Sequence, residues 1–390
     1  MKRLRQIGIV ASLSLRSLHT RIRSSLVIVA SLACVSIVLL LALSGTEGIK
    51  RSYLATGHID RAIVLSSGAE REWNSSIPTS WLGSIESAPG IRHGRAGEPL
   101  IDAETYALTT TFVKRANQKP GLSGVRGIGP NGLAMSPEIK IVDGRAYRPG
   151  TREVIVGIMA REKFSGLELG DKVKLIDDGD WAVVGHFATG GFKEGDVIAD
   201  PQVILAALQK PNYNSVLVSL ESSATFDRLK NSLTSNPALS VTVERESDFW
   251  LHQYRSLPVT ADLLGYFVAL LIAAGAISGI LHTMHATVSS RATEIAVLRA
   301  VGFGGIAVAV SVIIEAMFFA CTGAAIGTAV DWLWLNGYAS NGAYGVFRML
   351  VTPHLLSIAI AWALVTALVG AIVPAAEEAR LPVVDALGRL

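Results

Sequence analysis

This 390-residue sequence has only two cysteines and lacks a P-loop and the common hydrolase motifs. Cys34 and Cys321 both lie inside long apolar runs, so the polar middle of the chain contains neither a disulfide nor a Cys-based metal site. No Gly-Lys pair occurs, which excludes a P-loop. His-x-x-Glu-His and Gly-x-Ser-x-Gly are absent too. The chain therefore does not hydrolyse ATP or GTP through a P-loop, and no catalytic constellation stands out.

Charge is also scarce. Charged residues make up 17% of the chain and hydrophobic residues 50%, and the formal net charge is only +3. A mean hydropathy of +0.42 is too apolar for an ordinary soluble protein. The small net charge does not suggest nucleic acid as a partner, and the basic residues cluster beside the apolar runs instead.

The apolar residues collect in four runs that predict membrane-spanning helices. Each run approaches or exceeds the ~20 helical residues that cross a hydrocarbon core of roughly 30 Å. The four runs are Leu26–Leu43, Leu263–Met284, Ile306–Val330 and Leu355–Val373.

Basic residues in the short segments predict the topology. The N-terminal segment, the turn at 285–305 and the C-terminal tail all carry Lys or Arg, whereas the loop 331–353 has only Arg348. The positive-inside rule then places both termini in the cytoplasm and the 46–258 region outside. An N-terminal signal peptide is the alternative for the first run, but Leu26–Leu43 exceeds the usual apolar region of about 7–15 residues.

The fold class predicted is an α-helical membrane protein with four transmembrane helices, one plus three, and a large α+β extracytoplasmic domain inserted between spans 1 and 2. The predicted segments are a cytoplasmic amphipathic helix (1–24), span 1 (25–45), the extracytoplasmic domain (46–260), span 2 (261–285), a cytoplasmic coupling helix (286–304), span 3 (305–331), an extracytoplasmic loop (332–354), span 4 (355–374) and a cytoplasmic tail (375–390).

Within the large domain, alternating apolar residues and turn signals predict individual strands. Trp181–Phe187 reads as a strand. Tyr213–Leu220, Thr225–Leu233 and Leu239–Glu244 read as a β-α-β unit. Gly127–Gly132 matches G-x-G-x-x-G formally, but Pro130 argues against a helix opening there, so a turn before a strand is predicted.

The segment Ser289–Gly302 is polar but strongly patterned. One face at helical spacing is apolar, formed by Ala292, Ile295, Leu298 and Val301, whereas Arg291, Glu294 and Arg299 lie elsewhere and Gly302 is placed to end the helix. The pattern predicts a short amphipathic helix at the membrane surface, to which a partner protein binds.

Polar and small residues in the third span suggest two further sites. Glu315 is an ionisable group inside an apolar run, which fits either an ion or proton site or a structural anchor. Ala320, Gly323, Ala324 and Gly327 would let another helix approach closely, within the chain or at a subunit contact.

His282 and His285, at the end of the second span, have metal-ligand spacing, but no neighbouring Cys, Asp or Glu completes a set.

Three stretches resemble the FtsX-like permeases of bacterial ABC exporters, the MacB-type or type VII group. The first comprises Arg291, Glu294-Ile295-Ala296, Leu298-Arg299-Ala300, Gly302, Glu315-Ala316, Gly323 and Gly327. The second comprises Pro374-Ala375-Ala376, Ala379-Arg380-Leu381, Pro382-Val383-Val384 and Asp385-Ala386-Leu387. The third comprises Asp143-Gly144-Arg145, Glu153–Gly157, Gly170-Asp171 and Val183-Val184-Gly185.

The resemblance implies a permease subunit in the bacterial inner membrane without catalytic residues or a cofactor of its own. Its implied partners are two ATPase subunits that bind ATP, a second permease chain, a periplasmic adaptor and the lipid membrane. Arg291, Glu294, Ile295, Leu298 and Arg299 would receive the ATPase's motion.

The sequence is compatible with three functions. One is export of a lipid, lipoprotein, peptide or small amphiphile. Another is non-transporting mechanotransmission that regulates a cell-wall hydrolase. The third is a membrane-anchored enzyme or receptor whose 46–258 domain acts alone.

Overall fold

The computed structural model describes residues 22–112, 120–257, 260–290, 304–342 and 345–380. The predicted N-terminal helix up to residue 21, the coupling residues at 291–299 and the tail after residue 380 lie outside the described residues.

Ten α-helices occur among the described residues. They are α1 (Ile22–Leu54), α2 (Thr79–Glu86), α3 (Pro130–Met135), α4 (Ile158–Lys163), α5 (Pro201–Leu208), α6 (Phe226–Thr234), α7 (Glu246–Arg255), α8 (Thr260–Ser290), α9 (Gly305–Trp334) and α10 (Pro353–Arg380).

Fourteen strands are present in the same part of the chain. They are β1 (Arg61–Ser66), β2 (Ile77–Pro78), β3 (Ile101–Phe112), β4 (Pro120–Gly127), β5 (Lys140–Gly144), β6 (Glu153–Gly157), β7 (Lys172–Val173), β8 (Trp181–Ala188), β9 (Val197–Ala199), β10 (Asn212–Tyr213), β11 (Ser215–Ser219), β12 (Val241–Arg245), β13 (Ala339–Gly342) and β14 (Gly345–Arg348).

The chain forms two compact units. Of the described residues, those within 1–47, 259–336 and 350–390 belong to one unit, and those within 48–258 and 337–349 belong to the other. We call the first the helical unit and the second the sheet unit. The helix α1 begins in the helical unit and ends in the sheet unit.

Four helices of the described chain are long and apolar enough to cross a membrane. The candidate spans are Ser25–Leu54, Tyr266–Thr283, Gly305–Trp334 and Pro353–Glu377. Alanines recur at every fourth position of α10 and are all buried, namely Ala359, Ala363, Ala367, Ala371 and Ala375. Because small side chains let helix backbones approach closely, this face packs α10 against α8 and α9.

Helix α10 continues beyond the predicted end of the fourth span. The sequence places that end at Pro374, but α10 runs through Pro374 to Arg380. Proline is tolerated in spanning helices because neighbouring groups can satisfy the backbone carbonyl that it leaves free.

A ten-stranded sheet forms the centre of the sheet unit. Its order is β12-β1-β11-β3-β4-β9-β6-β8-β5, with β7 paired to β8. Most neighbours are antiparallel, but β4 pairs with β9 and β6 with β8 in parallel. The sheet is long enough to carry two separate cores, which define two lobes.

The first lobe packs α2 and α6 against one end of the sheet, with Ile85, Leu229 and Val218 in its core. The second lobe packs α4 and α5 near the other end, with Met159, Ile204 and Trp181 in its core. The long antiparallel pair β3–β4 lies in the sheet between them.

The predicted β-α-β unit is present as β11, α6 and β12. Strand β1 lies between the two strands and is antiparallel to both, so β11 and β12 are parallel but not adjacent. Sequence periodicity predicts the elements, but β1 enters this position from 150 residues upstream and is not visible in the local pattern.

The interpretation of Gly127–Gly132 as a turn was wrong. Helix α3 begins at Pro130, with Gly129 at the N-cap. Proline is favourable in the first helical turn because its missing N–H would have no intrahelical partner there. Pro130 would break a helix only from an interior position, and it lies in the first turn instead.

The segment between α9 and α10 is more than a connecting loop. Residues 337–349 form the β13–β14 hairpin, which belongs to the sheet unit. Val346 joins the core of the second lobe, and Lys163 Nζ donates to the carbonyl of Ala339 at 3.4 Å. The many glycines of this segment predicted a loop. Gly345 instead adopts a φ of +95° at the start of β14, a conformation that glycine tolerates in the tight turn of a hairpin.

Candidate functional site

An aromatic cluster joins the end of α1 to the sheet unit. The ring centroid of Tyr53 lies 4.6 Å from that of Phe192 and 5.8 Å from that of Trp250. Phe192 and Trp250 are themselves 5.7 Å apart. Because these rings come from α1, α7 and the short 3-10 helix Phe192–Gly195, they fix three elements to one another.

A buried ion pair lies where the chain enters and leaves the first lobe. Arg61 at the start of β1 donates from Nε to Glu246 at the start of α7, at 2.6 Å. Both side chains are almost fully buried, at 4% and 1% exposure. Arg61 also binds Glu138 at 2.7 Å through Nη2. We call Tyr53, Arg61, Phe192, Glu246 and Trp250 the stalk junction.

Backbone packing at the stalk junction is equally tight. A Cβ atom on Gly57 would lie 2.6 Å from the Cα of Ser247, so only glycine fits here. The Thr56 hydroxyl accepts a hydrogen bond from the backbone N–H of Phe192 at 2.8 Å. A displacement of α1 along its axis would therefore move the start of α7 and residue 192 with it.

The middle of the sheet contains a buried charge cluster around Arg126 of β4. Its guanidinium binds Glu72 at 2.8 Å, Glu104 at 3.3 Å and Asp196 at 3.4 Å. The Arg126 side chain is 1% exposed and lies over the ring of Tyr106. We call Arg126, Glu72, Glu104 and Asp196 the Arg126 cluster.

Three carboxylates around one guanidinium cannot all be equally stabilised. Burial raises the pKa of Asp196 to about 6 despite Arg126, and burial also raises the pKa of Glu104. Burial would raise the pKa of Glu72 as well, but its short ion pair with Arg126 holds that pKa below its usual range. The cluster thus favours an ionised Glu72 and a protonated acid elsewhere.

Asp102 on β3 is a further buried acid close to the Arg126 cluster. Its carboxylate accepts a hydrogen bond from the backbone N–H of Gly129 at 2.8 Å. Burial and the neighbouring Glu104 raise the pKa of Asp102 to about 7. The folded protein therefore holds this proton more tightly than the unfolded chain does.

The raised pKa of Asp102 predicts a pH-dependent stability. The contribution of Asp102 to the free energy of unfolding is fully present below pH 3.8, the ordinary pKa of this carboxyl group. It is lost as pH rises to about 7, a change on the order of a few kcal/mol. In Asp102→Asn, thermal unfolding of the whole chain in detergent should occur at a higher temperature than in the unmutated protein at pH 8, and the difference should shrink toward pH 5. Asp178→Asn, in an exposed turn, is the control. Parallel unfolding curves of Asp102→Asn and the unmutated protein across this pH range would contradict the assignment.

The β13–β14 hairpin is held on the second lobe by Arg348. Its guanidinium binds Glu162 at 2.9 Å and lies 3.9 Å from Glu194. The same side chain donates to the carbonyl of Gly337 at 2.9 Å, which closes the base of the hairpin. A Cβ atom on Gly48 would clash with the backbone of Arg348, so the hairpin also lies against α1.

We expect Arg348→Ala to loosen the hairpin without unfolding the sheet unit, because Val346 remains buried in the lobe. Hydrogen exchange in residues 337–349 should accelerate several-fold, while exchange in β6 and β8 stays unchanged. Arg161→Ala removes a comparable exposed ion pair, to Glu168, that does not touch the hairpin. Equal exchange in the two variants would show that Arg348 does not hold the hairpin.

In the helical unit, the small residues of α9 face α1 of the same chain. A Cβ atom on Gly323 would lie 2.7 Å from the carbonyl oxygen of Val29, and one on Gly327 would lie 2.6 Å from that of Ala33. Ala320 and Ala324 are fully buried in the adjoining core. These four positions therefore serve packing within the chain, and a subunit contact through them stays a prediction.

The other predicted residues of the spans are placed as follows. Glu315 is 5% exposed and has a polar or electrostatic contact within the structure. His285 binds Glu377 of α10 at 3.0 Å. Asp331, which the sequence argument did not single out, is 2% exposed in the last turns of α9. The coupling residues Arg291, Glu294, Ile295, Leu298 and Arg299 lie outside the described residues.

Sequence reasoning missed the stalk junction and the Arg126 cluster. Arg126 lies between Val125 and Gly127, two residues before Ile128, and Arg61 precedes Ala62-Ile63-Val64. A lone arginine in or beside an apolar strand is the signal that could have found both, since such a residue is buried only when it is paired. The identities of the partners, such as Glu246, depend on the fold.

Two family models match the chain over the regions just described. The FtsX-like permease C-terminal model matches residues 266–383. The MacB-like periplasmic core domain model matches residues 24–236, which is more than half of the chain. This chain belongs to the MacB/FtsX family of ABC transporter permeases. The permease is thus a membrane protein, and the resemblance read from its motifs is confirmed.

Two solved structures are similar to part of the permease. One is the extracellular domain of the noncanonic ABC-type transporter YknZ from Gram-positive bacteria, at 16% identity and a TM-score of 0.36, covering 47% of this chain and 99% of that one. The other is the periplasmic region of MacB from Actinobacillus actinomycetemcomitans, at 13% identity and a TM-score of 0.38, covering 52% and 96%. A search of the curated proteins finds no matching sequence. The family assignment rests on the two family models, because both TM-scores lie below 0.5.

Membership of this family implies an ABC ATPase as partner and a membrane as the working environment. The permease accordingly contains apolar helices and a large α/β domain. No group of three or more His, Cys, Asp or Glu side chains among the described residues could hold a metal ion.

Proposed function

We propose that this permease is the transmembrane subunit of a bacterial ABC exporter that transmits ATP-driven motion to its sheet unit. ATP is bound and hydrolysed on a separate ATPase, present in two copies, and a second permease chain completes the transporter. The substrate is a lipid, lipoprotein, peptide or small amphiphile, and a periplasmic adaptor receives it. The four helices span the inner membrane with both termini in the cytoplasm, and the sheet unit lies outside.

One observation carries this proposal. The sheet unit consists of residues 48–258 together with residues 337–349, so the chain enters or leaves it next to each of the four long helices. An independent enzyme domain on a membrane anchor needs only one such connection. Because all four helices are attached to the sheet unit, a rearrangement of the spans applies force to it.

The contacts of the sheet unit fit the transmission of motion. The stalk junction binds the end of α1 to α7 through stacked rings and the buried Arg61–Glu246 pair. Arg348 binds the hairpin to the second lobe. Rigid contacts of this kind pass a displacement on, whereas a flexible linker would absorb it.

The scarcity of buried ionisable side chains among the described residues of the spans supports mechanical work over conduction. Among the described residues within the apolar windows of the four spans, ionisable side chains are few, with Glu315 and Asp331 the buried acids. A channel for a polar substrate needs a lining of polar groups. A substrate that is moved outside the hydrocarbon core needs no such polar lining.

Purification in mild detergent from the native host tests the proposal. An ATPase with a P-loop should co-purify in equal amount, and its hydrolysis should depend on the permease. An adaptor in the same complex supports export, whereas a bound cell-wall hydrolase would support the regulatory alternative. A permease that purifies alone, with no ATPase depending on it, would overturn the proposal.

A further inference from the structure

The segment that joins β8 to β9 buries two charged side chains in a short connection. Residues 189–196 form this segment, which includes the 3-10 helix Phe192–Gly195. Lys193 and Glu194, neighbours in that helix, are 3% and 4% exposed. Side chains of Lys and Glu are almost never buried this fully unless they are paired. We call residues 189–196 the β8–β9 linker.

The first half of the linker lies against the end of α1. A Cβ atom on Gly191 would lie 2.6 Å from the hydroxyl oxygen of Thr56, so the two backbones leave no space for a side chain between them. The N–H of Phe192 donates to the same hydroxyl at 2.8 Å, and the Phe192 ring packs on Tyr53 of α1. A displacement of Tyr53 and Thr56 therefore acts directly on the linker.

The start of α7 is bound to the linker through both charge and ring contacts. Nζ of Lys193 lies 3.7 Å from Oε1 of Glu246, the first residue of α7. The other carboxylate oxygen of Glu246 accepts the 2.6 Å hydrogen bond from Arg61. Phe192 adds a ring contact to Trp250, one turn further along α7. Because Glu246 is shared by two buried cations, a shift of α7 also changes the pairing of Lys193.

The second half of the linker lies against the β13–β14 hairpin. Oε1 of Glu194 lies 3.9 Å from Nε of Arg348, and its Oε2 accepts a hydrogen bond from the N–H of Thr189 at 2.9 Å. The carboxylate thus holds the two halves of the linker together and also contacts the hairpin. A Cβ atom on Gly195 would lie 3.0 Å from the carbonyl oxygen of Val346. The linker and the hairpin are therefore in close backbone contact.

The linker ends inside the sheet. Asp196, its last residue, binds Arg126 at 3.4 Å and belongs to the Arg126 cluster. The carbonyl of Asp196 accepts a hydrogen bond from the N–H of Gly157, at the end of β6, at 3.0 Å. The chain then enters β9, which lies between β4 and β6. One short segment thus contacts the end of α1, the start of α7, the hairpin and the strands within the sheet.

We propose that the β8–β9 linker is a relay that couples the end of α1, the start of α7 and the β13–β14 hairpin to one another. Its buried charges restrict it to one position relative to these elements, because a slip would leave Lys193 or Glu194 buried without a partner. Its glycines leave no space into which a displaced element could move. All of these contacts lie within the sheet unit. The relay rests on the proposed function for the source of the motion, but the coupling itself requires no ATP.

Hydrogen exchange of the full-length permease in detergent, without the ATPase, tests the coupling. Gly195→Ala places a methyl group 3.0 Å from the Val346 carbonyl oxygen, so the linker and the hairpin must separate by a few tenths of an ångström. Exchange should accelerate several-fold in the hairpin and also at residues 246–250 of α7. Helix α1 contacts the hairpin directly at Gly48, so the decisive measurement is the one on α7.

A second substitution acts from the opposite end of the linker. Gly191→Ala places a methyl group 2.6 Å from the Thr56 hydroxyl oxygen and should accelerate exchange at residues 53–57, at 246–250 and in the hairpin. Gly83→Ala in α2 is the matched control, because a Cβ atom there meets nothing within 4 Å, and its exchange should equal that of the unmutated protein. Exchange in α6, in the core of the first lobe, should stay unchanged in all three variants.

Acceleration that is absent, that is confined to the element touched by each new methyl group, or that is equal in α6 would overturn the relay. Gly195→Ala decides alone if Gly191→Ala fails to fold, since its closest contact needs the smaller adjustment. The proposed function would survive such a result, because no ATPase takes part in the measurement and co-purification tests that function separately.

Discussion

Replacing Arg126 with Met should destabilise the sheet unit by about 3–5 kcal/mol. The substitution keeps the volume of the side chain but leaves Glu72, Glu104 and Asp196 buried without their shared cation. Lys193 is the remaining buried cation that acts on all three. Thermal unfolding and limited trypsin digestion of the detergent-purified permease measure the loss.

Two variants separate an electrostatic cause from a packing defect. Adding Glu72→Gln and Asp196→Asn to Arg126→Met removes two of the three uncompensated carboxylates and should recover part of the lost stability. Arg92→Met breaks an exposed ion pair with Asp60 and should cost less than about 1 kcal/mol. If the triple variant were no more stable than Arg126→Met alone, the cluster would not act through its charge balance.

Gly323→Ala and Gly327→Ala should each disrupt the packing of α9 on α1. The new methyl group would lie 2.7 Å from the Val29 carbonyl oxygen at position 323 and 2.6 Å from that of Ala33 at position 327. Backbone atoms cannot move aside as a flexible side chain does, so the two helices must separate. We expect a cost of roughly 1–3 kcal/mol at each site, as for other overpacked cores, seen as a lower unfolding temperature and a reduced yield of folded protein.

Gly275→Ala is the matched control in a different span. A Cβ atom there would meet nothing within 4 Å, so the variant should fold and express like the unmutated permease. Alanine is also the better helix former, which offsets any small loss. Equal behaviour of all three variants would contradict the close approach of α9 and α1.

The helices of the helical unit could be predicted from the sequence, because a long apolar run by itself indicates a spanning helix. The apolar run Leu26–Leu43 lies within α1, and Ile306–Val330 lies within α9. The helix ends were less predictable. Helix α1 continues to Leu54 although its last turns are polar, because Tyr53 packs on Trp250 of the sheet unit.

In the sheet unit, the contacts between residues that are distant in sequence could not be predicted. The periodicity of Trp181–Phe187 predicts a strand, and β8 is present. Nothing local shows that β1 separates β11 from β12, or that Arg348 binds Glu162 across 186 residues. The candidate site was missed for the same reason, since Arg61 and Glu246 come together only when both ends of the domain meet.

Under the proposed function, ATP-driven motion enters at the coupling residues and reaches the sheet unit. A distance between two spin labels tests it directly, with one label at Glu86→Cys in the first lobe and one at Leu333→Cys, an exposed position near the end of α9. The labelled chain, without Cys34 and Cys321, is diluted with unlabelled permease and joined to its ATPase in nanodiscs. ATP should shift the distance distribution. Glu294→Ala with Arg299→Ala should abolish the shift while the ATPase stays bound.

Arg92→Ala, a surface variant of the sheet unit, should leave the ATP-dependent shift intact. If the ATPase hydrolyses ATP in the complex and the distance distribution of the otherwise unmutated labelled chain is the same with and without ATP, no motion reaches the sheet unit and the account fails.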